Sequence, residues 1–262
     1  MDMQEALKNF YENYDEDGRL RCRHGMVEYL TTMRYIEMYL SPGMRILEIG
    51  AGTGRYSHSL ARMGYQVDAV ELVQHNIDIF RQNTQEGEAV TITQGNAMDL
   101  SAFDDDTYDV TLLLGPMYHL LEEHEQLQAL SEAIRVTKKG GRIFAAYCNN
   151  DATMVQYCFA KGMILEEPYR SLIDHTTFKA RSTPAELFQL YRKEDIDALM
   201  SHFSVTRLHY IGTDMATKYI QNEVDEMPDA LFDLYLRYHF TICERSDMVG
   251  TSHHILDIFQ KN

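Results

Sequence analysis

The sequence predicts an open α/β fold, a parallel sheet with helices on both faces. Three observations carry this. Short apolar runs alternate with helical stretches from Met44 to Cys148, the pattern of successive βαβ units. A glycine-rich turn, "GAGTG" (Gly50–Gly54), stands between the first strand-like run and the first helix after it. A buried run, "VTLLLGP", stops at Gly115-Pro116 and delivers Tyr118 and His119 just beyond its end. In open α/β sheets that carboxyl edge is where ligands bind.

The elements follow in order. Residues 1–40 read as helical, with an apolar stripe through Val27, Leu30, Met33, Ile36 and Leu40 that Ser41-Pro42-Gly43 ends. Met44–Ile49 is the first strand. A helix over Arg55–Met63 follows the glycine turn and closes at Gly64. Gln66–Glu71 and Ala89–Gln94 are the second and third strands, with a helix over Gln74–Thr84 between them. Tyr108–Leu114 is the fourth strand. Glu122–Val136 is helical, capped by Lys138-Lys139-Gly140-Gly141, and Arg142–Cys148 is the fifth strand. The alternation then breaks. Residues 150–190 are mixed and interrupted by Pro168 and Pro184. A helix over Lys193–Ser201, a strand over Ser204–Ile211, a helix over Asp229–Glu244 and a last strand over His253–Phe259 complete the chain. We divide it into an amino-terminal helical segment (1–40), a core (41–149), an insertion over the carboxyl edge (150–200) and a carboxy-terminal completion of the sheet (201–262).

Composition bounds the function. With 262 residues, 45% of them apolar, the chain suffices for one large domain or a domain with an insertion. The formal charge of −16, from 24 basic and 40 acidic side chains, repels nucleic acid and anionic membranes as obligate partners. Cys22, Cys148, Cys158 and Cys243 lack Cys-x-x-Cys spacing and read as free thiols of a reducing compartment. The start, "MDMQEALKNF", lacks a basic-then-apolar signal, and no apolar run approaches the roughly 20 residues of a membrane span. We expect a soluble cytoplasmic protein. Its oligomeric state is not legible.

The strongest motif is "ILEIGAGTGRY", Ile46–Tyr56, with strand, acidic residue, alternating glycines and helix start in succession. Gly50, Gly52 and Gly54 permit a tight turn and close approach of a ligand, and the helix amino end offers free N–H groups. Glu71 ends the next strand 17 residues after Gly54, where a carboxylate can accept both ribose hydroxyls of a nucleoside. A nicotinamide dehydrogenase needs Gly-x-Gly-x-x-Gly. Counted from Gly50, the third glycine falls at Arg55.

The spacing Glu48-x-Gly50-x-Gly52-x-Gly54 resembles the first motif of the class I S-adenosylmethionine-dependent methyltransferases, small-molecule type. The resemblance continues through "VDAVEL", with Glu71 for the ribose and Leu72 beside the adenine. It includes "GNAMDL", with Asn96 and the backbone of Ala97 and Met98 at the adenine edge, then "YDVTLLL" and "KKGGRIFAAY". It covers about residues 44–148. Asn96 stands where the family usually has Asp, and its carbonyl can still accept from an amino group. The resemblance implies S-adenosyl-L-methionine as cofactor and a Rossmann-like three-layer sandwich. The sheet is seven-stranded, mostly parallel, ordered 3-2-1-4-5-7-6, with an amino-terminal helical lid and an insertion after strand five. It places Leu114 beside the methionine portion of the cofactor. Tyr14 and Arg19 of the lid are expected near the carboxylate.

Methyl transfer chiefly requires that a nucleophile be held in line with an activated methyl group and that water be excluded. We therefore expect transfer to O, N or S of a small molecule, with His119 as base or substrate orienter and Tyr118 lining the pocket. Enzymes that methylate amino groups of bases or glutamine often carry Asn/Asp-Pro-Pro-Tyr/Phe after strand four. Here Gly115-Pro116-Met117-Tyr118 takes that place. A macromolecular acceptor and a regulatory module that binds the cofactor without turnover are the alternatives. His202, His209, His239, His253 and His254 show no ligand spacing, so no metal is expected.

Overall fold

The structure, a computed structural model, describes residues 3–14 and 16–262. Met1, Asp2 and Asp15 of the predicted lid segment lie outside them. In order, α1 (Met3–Tyr11), α2 (Glu16–Arg19) and α3 (Arg23–Glu37) precede β1 (Arg45–Ile49). Then come α4 (Arg55–Arg62), β2 (Gln66–Glu71), α5 (Gln74–Asn83), β3 (Val90–Gln94) and β4 (Tyr108–Leu113). A 3-10 turn over Pro116–His119 leads to α6 (Glu123–Val136) and β5 (Thr137–Asn149). Short helices α7 (Asn150–Thr153) and α8 (Tyr169–Leu172) precede β6 (Leu190–Tyr191) and α9 (Lys193–Met200). β7 (Val205–Gly212), α10 (Gln221–Asp225), α11 (Asp229–Ile242) and β8 (His254–Lys261) finish the chain.

The sheet runs β3-β2-β1-β4-β5-β8-β7. This is the expected 3-2-1-4-5-7-6 order with one addition. The two-residue strand β6 pairs with the end of β5, at Cys148↔Leu190 and Asn149↔Tyr191, and shifts the later strand numbers by one. β8 is antiparallel to both neighbours, and β1 to β5 are mutually parallel. The central strands are apolar on both sides because helices cover both faces. One layer packs Leu47, Ile49, Leu113, Ala129, Leu130 and Ala133, and the other packs Ile36, Ile46, Leu60, Val110 and Phe144.

Two local expectations change. The amino-terminal region is three helices. In α1, Ala6 and Leu7 are buried, with Met3, Phe10 and Tyr11 completing one apolar face at helical spacing. Residues Lys138–Gly141, expected as a helix cap, belong to β5. Gly140 there has φ +77°, and the β4–β5 register shifts between Tyr108 and Val110, so the turn signal marks an irregularity within the ladder.

Candidate active site

The carboxyl ends of β1 to β4 meet along one edge, and the chain segments leaving them enclose a cavity of about 460 Å³. That lies in the roughly 300–1,000 Å³ range of small-molecule sites. At the end of β1 the backbone turns back on β2, with the N–H groups of Gly50 and Ala51 both donating to the Val70 carbonyl, at 2.8 and 3.0 Å. Gly50 has φ +75°, and a Cβ there would sit 2.6 Å from the Pro116 ring. Glycine therefore lets the turn meet the loop after β4. Gly54 has φ +89° and is packed beneath the turn, where a Cβ would strike Phe80 and His58. Gly50 and Gly52 line the cavity; Gly54 shapes the turn from below.

Glu71 braces this turn. One carboxylate oxygen accepts from the Gly52 N–H at 2.9 Å, and the other accepts from the Val73 N–H at 2.8 Å and the Asn76 amide at 3.3 Å. Burial pushes its carboxyl above the ordinary value, and these donors oppose the rise. Glu48, on β1, is also buried and lines the cavity. Desolvation pushes it up to about 8, against a hydrogen bond donated by the Ser57 hydroxyl. Leu72, Asn96, Ala97, Met98 and Leu114 line the same cavity. The Asn96 side-chain oxygen accepts from the Met98 N–H at 3.0 Å. That N–H is thus engaged within the turn, which the sequence reading did not foresee.

The amino-terminal residues divide. Arg19 lines the cavity and pairs with Glu28 at 2.9 Å, and Glu28 in turn lies 3.4 Å from His254 Nδ1. Tyr14 does not line the cavity. Its ring stacks on Phe10 with centroids 4.8 Å apart, and 39% of it is exposed. Two residues that sequence reasoning missed take its place. Tyr11, one face-repeat earlier on α1, lines the cavity. So does Arg55 at the first position of α4, whose buried Nε has no hydrogen-bond partner among the described residues. Arg55 was legible as the residue that opens the helix after the glycines, where its head reaches the ligand edge.

Tyr118 and His119 both line the cavity. The 3-10 turn that carries them is held from the far end of the 150–190 segment. The His119 Nδ1–H donates to the Leu187 carbonyl at 3.1 Å, the Gln189 N–H to the Tyr118 carbonyl at 2.8 Å, and the Tyr191 hydroxyl to the Met117 carbonyl at 2.7 Å. Leu187 adopts φ +66°, a conformation costly for leucine that presents its carbonyl to the histidine. With Nδ1 protonated, His119 Nε2 accepts, and the Tyr11 hydroxyl donates to it at 2.9 Å. Burial pushes His119 down to about 4, only partly offset by the Leu187 carbonyl. The ring is therefore neutral over the physiological range.

The histidines weighed as metal ligands go separate ways. His202 is exposed, His209 bonds Glu244 and Tyr39, and His239 is buried. His254 pairs with Asp214 at 2.7 Å, while the His253 ring packs against Tyr157 and Tyr219.

The residues present suit a nucleoside carrying a charged amino-acid tail. The turn offers a tight backbone cradle, Glu71 a buried carboxylate, and Arg55 a buried donor with no partner among the described residues. Comparison with known proteins agrees. The sequence profile of the methyltransferase domain matches residues 47–145. The ubiquinone biosynthesis O-methyltransferase of Xanthomonas axonopodis pv. citri is 26% identical over 204 residues, 74% of this chain and 81% of that one. The demethylmenaquinone methyltransferase of Clavibacter sepedonicus is 34% identical over 101 residues, 38% of this chain and 40% of that one. A Thermotoga maritima structure described as a SAM-dependent methyltransferase, possible histamine N-methyltransferase, superposes with a TM-score of 0.61 at 18% identity, covering 100% of both chains. The magnesium protoporphyrin IX methyltransferase of Synechocystis, solved with bound SAH, gives 0.57 at 13% identity, covering 91% of this chain and 83% of that one. Among the described residues no helix is long and apolar enough to cross a membrane. With its glycine turn, braced glutamate and strand order, the chain carries a methyltransferase domain over residues 47–145 and is an S-adenosylmethionine-dependent methyltransferase.

Proposed function

We propose that this methyltransferase acts on a hydroxyl oxygen of a small molecule, and that Tyr11 and His119 manage the acceptor's proton. The single observation that carries the reading is the Tyr11–His119 hydrogen bond at the cavity wall. The ubiquinone biosynthesis relatives, named as O-methyltransferases, support it.

The cofactor supplies a methyl group on a sulfonium, already activated for displacement. Its adenosine would lie along Gly50, Gly52, Glu71, Leu72 and Ala97, and its carboxylate would meet Arg55 and Arg19. The protein's own work is positional. Helix α1 closes one side of the cavity through Leu7 and Tyr11, as a lid, and keeps water from the nucleophile. The Tyr11 oxygen, polarised by donating to His119, is the acceptor for the substrate O–H. As the oxygen gains its methyl group its proton becomes strongly acidic, so a base as weak as His119 suffices. The substrate proton passes to Tyr11 and the Tyr11 proton to His119 Nε2. Proton removal of this kind contributes about 10²–10⁴ in rate.

The test is a purified-enzyme assay of S-adenosylhomocysteine formation against parallel sets of phenols, catechols, amines and thiols, with the product located by mass spectrometry. Turnover with hydroxyl acceptors supports the reading. Turnover restricted to amines or thiols overturns the hydroxyl acceptor.

A further inference from the structure

Away from the cavity, three side chains are aligned across two elements. Cys22 Sγ lies 3.3 Å from His24 Nε2, and His24 Nδ1 lies 2.7 Å from Asp225 Oδ2. The other Asp225 oxygen accepts from the His24 backbone N–H at 2.9 Å. The three groups offer atoms within 4.8 Å of one another, as a metal site would. Their geometry is different. A metal takes one nitrogen of a histidine, with the other ligands converging on the same point. Here the imidazole stands between sulfur and carboxylate and uses both nitrogens. With its Nδ1 proton held by Asp225, the ring turns its Nε2 lone pair to the thiol, the order of nucleophile, base and orienting carboxylate.

The surroundings fit this order. Cys22 is the N-cap residue of the 15-residue α3, where the helix dipole favours negative charge. Asp225 ends α10, and buried contacts among Val27, Val224 and Phe232 fix α3 against α10 and α11. Burial disfavours the charged form of Asp225, but hydrogen bonds from the His24 backbone and ring hold its carboxyl below the ordinary value. Cys22 is half-buried and reachable by a small reagent, whereas Cys158 and Cys243 are buried. Neither Cys22, His24 nor Asp225 lines the cofactor cavity.

We propose that Cys22 is a reactive thiol whose proton His24, held by Asp225, accepts as the sulfur attacks, and that it is a site of covalent modification by hydroperoxides. The Cys22 sulfur attacks one peroxide oxygen, forming an S–O bond as the O–O bond breaks. Sulfur is oxidised by two electrons to the sulfenic acid, and the peroxide is reduced. The departing hydroxide or alkoxide takes the thiol's proton from His24 and leaves as water or alcohol. The Cys22 thiol also donates to the Arg19 carbonyl at 3.2 Å, so His24 competes with that carbonyl for the thiol proton, and the modified side chain adjoins the backbone of a cavity residue.

The test compares cysteines within one chain. The folded protein is pulsed with iodoacetamide and each thiol is quantified by mass spectrometry, with half-buried Cys148 as the internal reference. Cys22 should react about tenfold faster than Cys148 or more, and His24→Asn should remove most of that advantage. Asp225→Asn gives a second measure should His24→Asn unfold, and should slow Cys22 at least severalfold. Hydrogen peroxide followed by dimedone should then label Cys22 ahead of Cys148. Equal rates at the two cysteines, or a Cys22 rate unchanged in the folded variants, overturns the reactive thiol. Fast alkylation without dimedone capture overturns the hydroperoxide as its reagent.

Discussion

The Tyr11 hydroxyl lies 2.9 Å from His119 Nε2, joining two residues 108 positions apart in the chain. One rides on the amino-terminal helix and the other on the turn after β4, so their contact forms only when α1 sits across the carboxyl edge. Packing of α1 over the cavity and completion of the proposed proton path therefore go together.

If the pair acts as a unit, its members should fail together. Tyr11→Phe and His119→Asn should each lower kcat by about 10²-fold or more, and the double variant should be little worse than either single one. Cofactor affinity should stay within about threefold of wild type, because neither change touches the glycine turn or Glu71. Steady-state kinetics with an identified acceptor, beside calorimetry with S-adenosylhomocysteine, separates the two effects. Additive losses in kcat would dissolve the pair.

The pH profile carries the signature of burial. The base must be unprotonated, so activity is lost as pH falls through its pKa. An exposed histidine would place that limb near 6.5. Burial pushes His119 down to about 4, so kcat should hold steady between about pH 5.5 and 8 and decline only below that. A limb near 6.5 that disappears in His119→Asn would show that the ring opens to water during turnover.

How much of this was legible in the chain follows from the range of the interactions. The glycine turn, Glu71 and the strand order are local or nearest-neighbour features, and periodicity with motif spacing reports them directly. His119 stood out because Gly115-Pro116 must stop a buried strand at the ligand edge. Its partner did not. Tyr11 and Tyr14 are three apart on the sequence and equally aromatic, and only packing of Ala6 and Leu7 against Leu187 selects Tyr11 for the cavity and leaves Tyr14 stacked on Phe10. The Leu187 carbonyl that sets the His119 tautomer comes from a segment without regular periodicity. The short strand Leu190–Tyr191 that anchors this segment is below the length at which alternation can be read.

Arg55 should anchor the cofactor's carboxylate. Its Nε is buried without a partner among the described residues, and a charge-assisted hydrogen bond is worth about 1.5–3 kcal/mol. Arg55→Met keeps much of the side chain's bulk over the Tyr29 ring, which the guanidinium now covers at 4.5 Å. It should weaken S-adenosylhomocysteine binding by about tenfold or more without lowering the melting temperature sharply. Unchanged affinity would leave Arg19 as the carboxylate's partner.

Glu71 has two duties, and substitution should show both. It holds the Gly52 and Val73 N–H groups, and on our proposal it also takes the ribose when cofactor binds. Glu71→Ala should cost about 2–4 kcal/mol of binding free energy and should also lower the melting temperature, since two buried backbone donors lose their acceptor. Glu71→Gln retains one acceptor oxygen and should fall between. A variant that melts as wild type while losing affinity would confine the residue to the ribose.

Glu48 turns the same burial into a pH dependence of stability. Its carboxyl is pushed from an ordinary 4.5 up to about 8 by desolvation, with Glu71 nearby adding to the rise. The folded state therefore holds a proton that the unfolded state releases above about pH 4.5. By linkage the contribution to stability is fully present below 4.5 and is lost progressively as pH rises towards 8, where the buried group must ionise. Glu48→Gln keeps the shape and a hydrogen-bonding partner for Ser57 and cannot ionise. At about pH 5 it should melt near the wild-type temperature, and at about pH 8.5 it should melt higher. A cation bound in the cavity lowers the carboxyl's pKa, so cofactor binding near neutral pH should release protons in the wild type and fewer in Glu48→Gln. Calorimetry in buffers of different ionisation enthalpy measures that count. Equal proton release by the two proteins would show that Glu48 does not change its ionisation when the cofactor binds.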